Sequence, residues 1–319
     1  MYFLCPHCRD ELSLNAGGRL VCATCGDSGA RQMDEGLIFF DRCQDTHNFF
    51  EKQALEQLDR FYQDYDDQRF EDCLGRQELW EMDEANRHVG ITKKFWWERY
   101  LGKIENKRVL DVGSGVNYIV PYLLRSDNEV VAFDVCAESV RYQRKMLGRL
   151  SVPIDRLTSA VADVEQIELS QAFDVVNVNN VLHHVDDKLA ALSRLHRCLN
   201  DDGKLMIVEP NYYYPPRWII ETDVFDPFNA VKNFFVRNYL IEQGEKAVIF
   251  SELASLLAET GFRVDHRMKD ENYLSYFTVY WMRERSLLAR TFGWCDRVIL
   301  GNVLPRILAP FEYIVASKV

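Results

Sequence analysis

The chain has 319 residues, of which 47% are hydrophobic and 27% are charged, which is enough for one large domain and a small one. Its formal net charge is −11, and Met1–Cys5 offers neither a basic start nor an apolar run, so we expect no secretory signal and no transmembrane segment. These features predict a cytoplasmic protein, in which cysteines stay reduced.

Acidic residues are concentrated between Asp41 and Glu84, where 14 Asp and Glu accompany 5 Lys and Arg. Proteins that bind nucleic acids usually present a basic face. The acidic stretch would repel phosphate, and it therefore disfavours RNA or DNA as a partner. A basic cluster between Lys93 and Arg108 argues in the other direction, but its intervening glutamates are typical of a solvated helix face.

The first region of the chain, residues 1–42, carries two CxxC motifs. Cys5-Pro-His-Cys8 and Cys22-Ala-Thr-Cys25 are separated by 13 residues, and Gly17-Gly18 can turn the chain between them. Two such motifs can bring four thiolates around one tetrahedral Zn²⁺, which would stabilise a module too small to hold a core. A redox-active dithiol is the alternative. His7, inside the first motif, is expected to face solvent.

The next region, residues 43–104, has apolar and aromatic residues at helical spacing and is predicted to be a helical cap or linker. From residue 105 to residue 319, strands alternate with helices. This pattern predicts an α/β domain with a parallel sheet covered by helices on both faces. The predicted strands are 108–111, 129–134, 159–163, 173–179, 203–209, 262–266 and 311–317.

The first predicted strand runs into a glycine-rich turn, Val109-Leu-Asp-Val-Gly-Ser-Gly115. Glycines there let the backbone approach a ligand at the carboxyl end of a strand, where open α/β sheets bind their ligands. Three further features follow in order: Asp134 at a strand end, Ala162-Asp163, and the segment Val178-Asn-Asn-Val-Leu-His-His-Val-Asp186. Over residues 105–211 this series resembles the class I S-adenosylmethionine (SAM)-dependent methyltransferases.

The resemblance implies a Rossmann-like fold, SAM as cofactor, and a set of binding residues. Asp134 would accept the ribose hydroxyls, and Asp163 would receive the adenine amino group. Asn117 stands where the family usually has a third glycine, and it tolerates a left-handed backbone better than most residues. Tyr62 lies in a segment resembling the aromatic cap over the methionine end, although packing into the core would explain it equally well. The implied cofactor residues are Asp111, Gly113, Ser114, Gly115, Asp134, Val135, Asp163, Val164, Asn179, Asn180 and Tyr62.

The cysteine module also resembles zinc ribbons that precede some methyltransferase domains, including one family of ribosomal-RNA guanine methyltransferases. His183 and His184 follow the fourth predicted strand of the α/β domain, near the expected position of the methyl group. A histidine base suits neutral pH, so both are candidate catalytic residues, with His184 slightly preferred; shaping the loop is the alternative role. After the fifth of these strands, Glu209, Asn211 and an aromatic stretch up to Trp218 are candidate walls of a substrate pocket.

We therefore expect a methyltransferase for a small, lipid-like or glycan-type metabolite. The alternatives are a zinc-ribbon enzyme that modifies rRNA or tRNA, and a non-catalytic SAM-domain partner protein. A helical insertion at about residues 270–310 separates the last two predicted strands. This insertion is expected to cover the site or to form a contact in a homo-oligomer.

Overall fold

The structure is a computed structural model. It describes residues 2–33, 37–41, 96–115, 119–149, 151–211, 213–214, 248–269, 291, 294–300, 303–305 and 308–319. The predicted helical region 43–104 lies outside the described residues up to residue 95, and so does most of the predicted insertion at 270–310.

The N-terminal module is a small antiparallel sheet. Gly18, Gly26 and Gly29 have positive φ, so these glycines allow the tight turns that the short strands require. Successive strands pair antiparallel through all four members of the module. The strands are β1 (Leu12–Leu14), β2 (Arg19–Cys22), β3 (Gly26–Gln32) and β4 (Ile38–Phe40).

The larger sheet has five strands that pair in parallel and, at one end, two further strands that are joined to it by antiparallel pairing. Their residues are mostly apolar on both sides, because helices cover both faces of such a sheet. The strands are β5 (Arg108–Val112), β6 (Glu129–Asp134), β7 (Leu157–Val161), β8 (Phe173–Asn179), β9 (Leu199–Pro210), β10 (Phe262–Lys269) and β11 (Phe311–Lys318).

The two sheets are continuous. Strand β4 pairs parallel with β7, where Ile38 lies opposite Ala160 and Phe39 opposite Val161. The whole order is β1-β2-β3-β4-β7-β6-β5-β8-β9-β11-β10. The N-terminal module therefore extends the edge of the parallel sheet instead of standing apart from it.

The described helices connect the parallel strands. The N-terminus of the helix Lys188–Cys198 is capped by Asp187, whose carboxylate accepts the backbone N–H of Ala190 at 2.9 Å. None of the helices in the described ranges is long and apolar enough to cross a membrane. The helices are α1 (Glu98–Leu101), α2 (Ile119–Arg125), α3 (Ala137–Arg149), α4 (Lys188–Cys198) and α5 (Phe250–Glu259), with a π-helical turn at Asp296–Leu300.

The core lies on both faces of the sheet. Leu110 and Val112 of β5 point to one face, whereas Val109 points to the other, as the two-residue period of a strand requires. All three are essentially buried. Since β5 pairs with β6 on one side and β8 on the other, the chain reverses its winding direction at β5. The crevice at the carboxyl ends of β5 and β8 is where such sheets bind ligands.

The predicted strands at 129–134 and 173–179 have the observed bounds, and the first, 108–111, extends by one residue. The strand predicted at 159–163 instead spans Leu157–Val161. It ends early because Asp163 begins a turn, in which its carbonyl oxygen accepts the N–H groups of Gln166 and Ile167.

Candidate cofactor site and metal centre

The turn after β5 requires glycine at Gly113. This residue has φ 60°, and a Cβ atom added there would lie 2.3 Å from Cγ2 of Val181. Gly115 also has a positive φ, 46°. Both the left-handed conformation and the close approach of the β8 loop exclude a side chain at Gly113.

The turn is fixed by hydrogen bonds to two neighbouring elements. The N–H of Ser114 donates to the carbonyl of Phe133 at 2.9 Å, and the N–H of Gly115 donates to Oδ2 of Asp134 at 2.9 Å. From α3, Nε2 of the buried Gln143 donates to the carbonyl of Gly115 at 3.0 Å. Gln143 was not predicted from the sequence, although a polar residue on the buried face of an amphipathic helix can indicate such a contact.

Asp134 ends β6 beside this turn. Its Oδ1 accepts the N–H of Cys136 at 2.9 Å, so each carboxylate oxygen holds one backbone N–H. Burial raises the pKa of Asp134, although the N–H groups of Cys136 and Gly115 partly offset that effect. Each oxygen has a further lone pair, so the carboxylate can accept two hydroxyl groups of a ribose without losing its backbone contacts. Val135, next along the chain, is partly exposed.

Asp163 stands at the carboxyl end of β7, where the adenine end of the cofactor was predicted. Its Oδ1 accepts the N–H of Glu165 at 2.8 Å, and its Oδ2 accepts Nε2 of Gln166 at 3.2 Å. The carboxylate thus organises its own turn, and Val164 is buried within that turn. Its contact with adenine stays a prediction.

The carboxyl end of β8 brings the asparagines to the same edge of the sheet. Asn180 has φ 57°, and its Nδ2 donates to Oδ1 of Asn179 at 3.1 Å. Two residues before Asn179, Nδ2 of Asn177 donates to Oδ1 of Asp111 at 2.6 Å, and both of these side chains are buried. Asp111 therefore ties β5 to β8 at the point where the winding reverses.

The loop that carries the two histidines is held by Glu209, at the end of β9. Oε1 of Glu209 accepts the N–H groups of Val181 at 2.9 Å and Leu182 at 2.7 Å, and Oε2 lies 2.7 Å from Nδ1 of His183. Glu209 has no exposed surface. The ring of His184 lies 4.0 Å from that of His183, centroid to centroid.

These contacts revise the substrate-facing role that sequence reasoning gave to Glu209 and Asn211. Glu209 faces the histidine loop, and Asn211 is buried, with Nδ2 donating to the carbonyl of Ala309 at 2.7 Å. Both side chains hold neighbouring segments in place.

A second carboxylate holds the far end of the same loop. Oε1 of Glu165 accepts the N–H of Asp187 at 2.6 Å, and Oε2 accepts that of Asp186 at 3.3 Å. The segment 181–187 is therefore fixed at both ends, by Glu209 from β9 and by Glu165 from the turn after β7.

The candidate metal centre lies in the N-terminal module. The Sγ atoms of Cys5, Cys8, Cys22 and Cys25 all lie within 4.8 Å of one another. A tetrahedral Zn²⁺ with Zn–S bonds of about 2.3 Å places its sulfurs roughly 3.8 Å apart, so the four thiols fit such an ion. His7 is exposed and is not among the clustered groups.

The pKa shifts within the thiol cluster differ in direction. Burial raises the pKa of Cys5, but hydrogen bonds from the backbone N–H groups of Cys8 and His7 and from the thiols of Cys8 and Cys22 together outweigh burial and lower it to about 7, whereas the pKa of Cys8 and that of Cys25 are raised. A thiolate is the form that binds a metal. Tyr62, one of the predicted cofactor residues, and Asn117, which stands in the place of the family's third glycine, lie outside the described residues.

The comparisons with known proteins agree with this fold. Residues 96–267 match the family described as methyltransferase domain. A ubiquinone/menaquinone biosynthesis C-methyltransferase of Pasteurella multocida (strain Pm70) is 27% identical over 172 residues, which are 51% of this chain and 60% of that protein. A malonyl-[acyl-carrier protein] O-methyltransferase of Acetivibrio thermocellus is 29% identical over 99 residues, covering 30% of this chain and 33% of that protein.

A crystal structure of an S-adenosylmethionine-dependent methyltransferase from Mesorhizobium loti superposes with a TM-score of 0.51 at 13% identity, covering 72% of this chain and 100% of the other. The strand order and the glycine turn define the Rossmann-like class I methyltransferase fold, as predicted. The family match covers more than half of the chain, which therefore belongs to the methyltransferase domain family. The match with the Pasteurella multocida relative spans only 60% of that protein.

Proposed function

We propose that this chain is a SAM-dependent methyltransferase that acts on a small or lipid-like metabolite and carries a structural zinc ion in its N-terminal ribbon. The proposal rests mainly on one observation. The Gly113–Gly115 turn is hydrogen-bonded to Asp134 at the carboxyl edge of the sheet. Two glycines there leave the backbone open to a ligand, beside a carboxylate that has acceptor capacity left.

The chain's own residues bind and orient the cofactor. Gly113 and Gly115 let the methionine portion approach the backbone, and Asp134 accepts the ribose hydroxyls. Asp163 and Val164 border the adenine, while Asn179 and Asn180 lie along the same edge. When bound, SAM supplies a methyl group made electrophilic by its sulfonium. The remaining task of the protein is to hold the acceptor near attack distance and to take up a proton.

The histidine loop is the candidate for that proton transfer. A hydrogen bond donated by Nδ1 of His183 to Oε2 of Glu209 would leave Nε2 of this ring as a proton acceptor. This contact favours His183 as the base, with the adjacent His184 as the second candidate. Alanine variants of each residue, compared by kcat against pH at saturating SAM, would decide between them.

The acceptor class rests on three supports. The acidic stretch from Asp41 to Glu84 disfavours a polyanion as substrate. The Pasteurella multocida relative is named for ubiquinone/menaquinone biosynthesis, and the Acetivibrio thermocellus relative for malonyl-[acyl-carrier protein]. Each of these names indicates a substrate that is not nucleic acid.

The test is transfer of labelled methyl from SAM in fractionated cell extract. We expect the label in the low-molecular-weight fraction or in the fraction extracted by organic solvent, with loss of transfer in Asp134→Ala. Label that appears chiefly in RNA and is lost on ribonuclease treatment would support the RNA-modifying alternative instead. Absence of transfer to any fraction, despite bound SAM, would support the non-catalytic alternative.

A further inference from the structure

The ribbon is bonded directly to the segment 160–170, which follows and includes the end of β7. The N–H of Leu4 donates to the carbonyl of Glu168, and the N–H of Ser170 donates to the carbonyl of Tyr2, both at 2.9 Å. On the other side, Phe39 of β4 pairs with Val161. The ribbon therefore contacts this segment near both of its ends.

The same segment carries two side chains of the candidate site. Asp163 orders the turn expected at the adenine, and Glu165 holds the N–H groups of Asp186 and Asp187 in the histidine loop. Any movement of this segment therefore moves the adenine side of the cofactor site and one end of the catalytic loop together.

A charged cluster ties the ribbon to the next helix as well. The carboxylate of Glu168 lies 3.4 Å from Nε of Arg9 in the ribbon, 3.3 Å from Nε of Arg194 and 2.9 Å from Nη2 of Arg197, the latter two in α4. Its side chain is only 10% exposed. Helix α4 begins directly after the histidine loop, so Glu168 connects ribbon, segment and loop.

We propose that metal binding in the ribbon and SAM binding at the sheet strengthen each other through the segment 160–170, with Glu165 and Glu168 as positioning residues. This rests on the proposed function, because it requires that SAM binds. A ribbon this small depends on its metal for folding. When the metal leaves, the backbone bonds from Tyr2 and Leu4 lose their support, and Asp163 and Glu165 are no longer held.

Thermodynamic linkage makes the coupling measurable from either side, since each ligand must change the affinity of the other by the same factor. The primary experiment therefore uses the intact zinc-loaded chain. Its zinc affinity is measured by equilibrium competition with a chromogenic chelator, with and without saturating SAM. We expect SAM to tighten zinc binding by at least about 5-fold, within the usual range of coupling between sites.

The matched variants separate coupling from general stability. Glu168→Gln, which weakens the link to Arg9 and α4, should reduce the effect of SAM on zinc affinity. Asp265→Asn removes a partly buried carboxylate of the far edge strand, β10, that pairs with Lys204 on β9, and should leave the coupling unchanged. If both variants reduced the coupling equally, the segment would have no special role and the proposal would be wrong.

Calorimetry distinguishes the two ways of failing. If SAM binds the zinc-loaded chain but leaves zinc affinity unchanged, the coupling is refuted and the proposed function stands. If SAM does not bind the zinc-loaded chain at all, the proposed function is wrong. The coupling is then wrong as well, because it requires that SAM binds. The competition reports on the equilibrium between the zinc-loaded and the metal-free chain, so an unfolded metal-free ribbon is part of what it measures.

Discussion

The ribbon and the parallel sheet belong to one continuous sheet, but different forces hold them. In the parallel sheet, strands such as β5 and β8 bury apolar residues on both faces. In the ribbon, β2 and β3 alternate between buried and more exposed positions, and four thiols form a cluster. The comparison teaches that burial alone can stabilise the sheet, whereas the proposed zinc ion would add to the stability of the ribbon.

The largest expected effect comes from breaking the ribbon. Cys22→Ser removes a buried ligand, and because the binding energy of structural zinc is folding energy, the ribbon should lose both metal and structure. Metal analysis and limited proteolysis of residues 2–41 measure the change. Cys198→Ser is the matched control, because Cys198 is also buried but lies in α4, outside the cluster. Full zinc retention in Cys22→Ser would contradict the assignment.

The second prediction breaks the cofactor turn without touching the ribbon. In Gly113→Ala the new Cβ would meet Val181 in a backbone conformation that alanine disfavours, so we expect a loss of about 1–3 kcal/mol in stability and a marked drop in SAM affinity. Zinc content should remain near wild type.

Gly148→Ala in α3 is the control for this glycine, because a Cβ there meets nothing within 4 Å. It should stabilise the chain by roughly 0.5–1 kcal/mol, since alanine favours helix. Thermal unfolding of both variants measures the difference. Equal stability in the two variants would mean that the Gly113 turn is not constrained.

The third prediction concerns the histidine loop. Glu209→Gln keeps an acceptor for the backbone N–H groups but can donate to Nδ1 of His183, which reverses the favoured tautomer of the ring. We expect kcat to fall by about 10²-fold or more if His183 is the base, with little change in SAM affinity. Nitrogen NMR of the imidazole should report the tautomer change. An unaltered tautomer with normal kcat would remove Glu209 from the mechanism.

The smallest effect is expected from a substitution at Asp265, which lies far from the cysteine cluster and from the candidate cofactor site. Asp265 pairs with Lys204 at 2.9 Å and Arg263 at 3.3 Å. Although burial acts to raise the pKa of Asp265, hydrogen bonds from Lys204 and Ser317 outweigh it and lower that pKa. A carboxyl with a lowered folded-state pKa stabilises the fold above its unfolded pKa and loses that contribution as pH falls.

Asp265→Asn should therefore cost about 1 kcal/mol at neutral pH and progressively less below about pH 4. Denaturant unfolding at a series of pH values measures this difference. A cost that did not shrink in acid would show that the ion pair is not its cause.

Local sequence patterns predicted much of the sheet. Strands β6 and β8 are apolar runs that end at a polar residue, Asp134 and Asn179, and so their bounds could be read from the chain. The glycine turn was equally visible, because Gly113 and Gly115 follow an apolar strand. Such signals depend on residues that are neighbours along the chain.

Contacts between distant residues could not be predicted in the same way. Glu209 meets His183 only because β8 and β9 pair in parallel, which brings together residues 26 positions apart. The pairing of β4 with β7 likewise depends on which edge of the sheet is open. The sequence therefore indicated the cysteine cluster and the glycine turn, but not the contacts that Glu165 and Glu209 make with the histidine loop.

The central claim is that the carboxyl edge of β5 and β6 binds SAM, and titration calorimetry of SAM into wild type and Asp134→Ala tests it most directly. Loss of two hydrogen bonds to a charged acceptor should weaken binding by roughly 2–4 kcal/mol, while zinc content stays unchanged. Equal SAM affinity in wild type and Asp134→Ala would contradict the account.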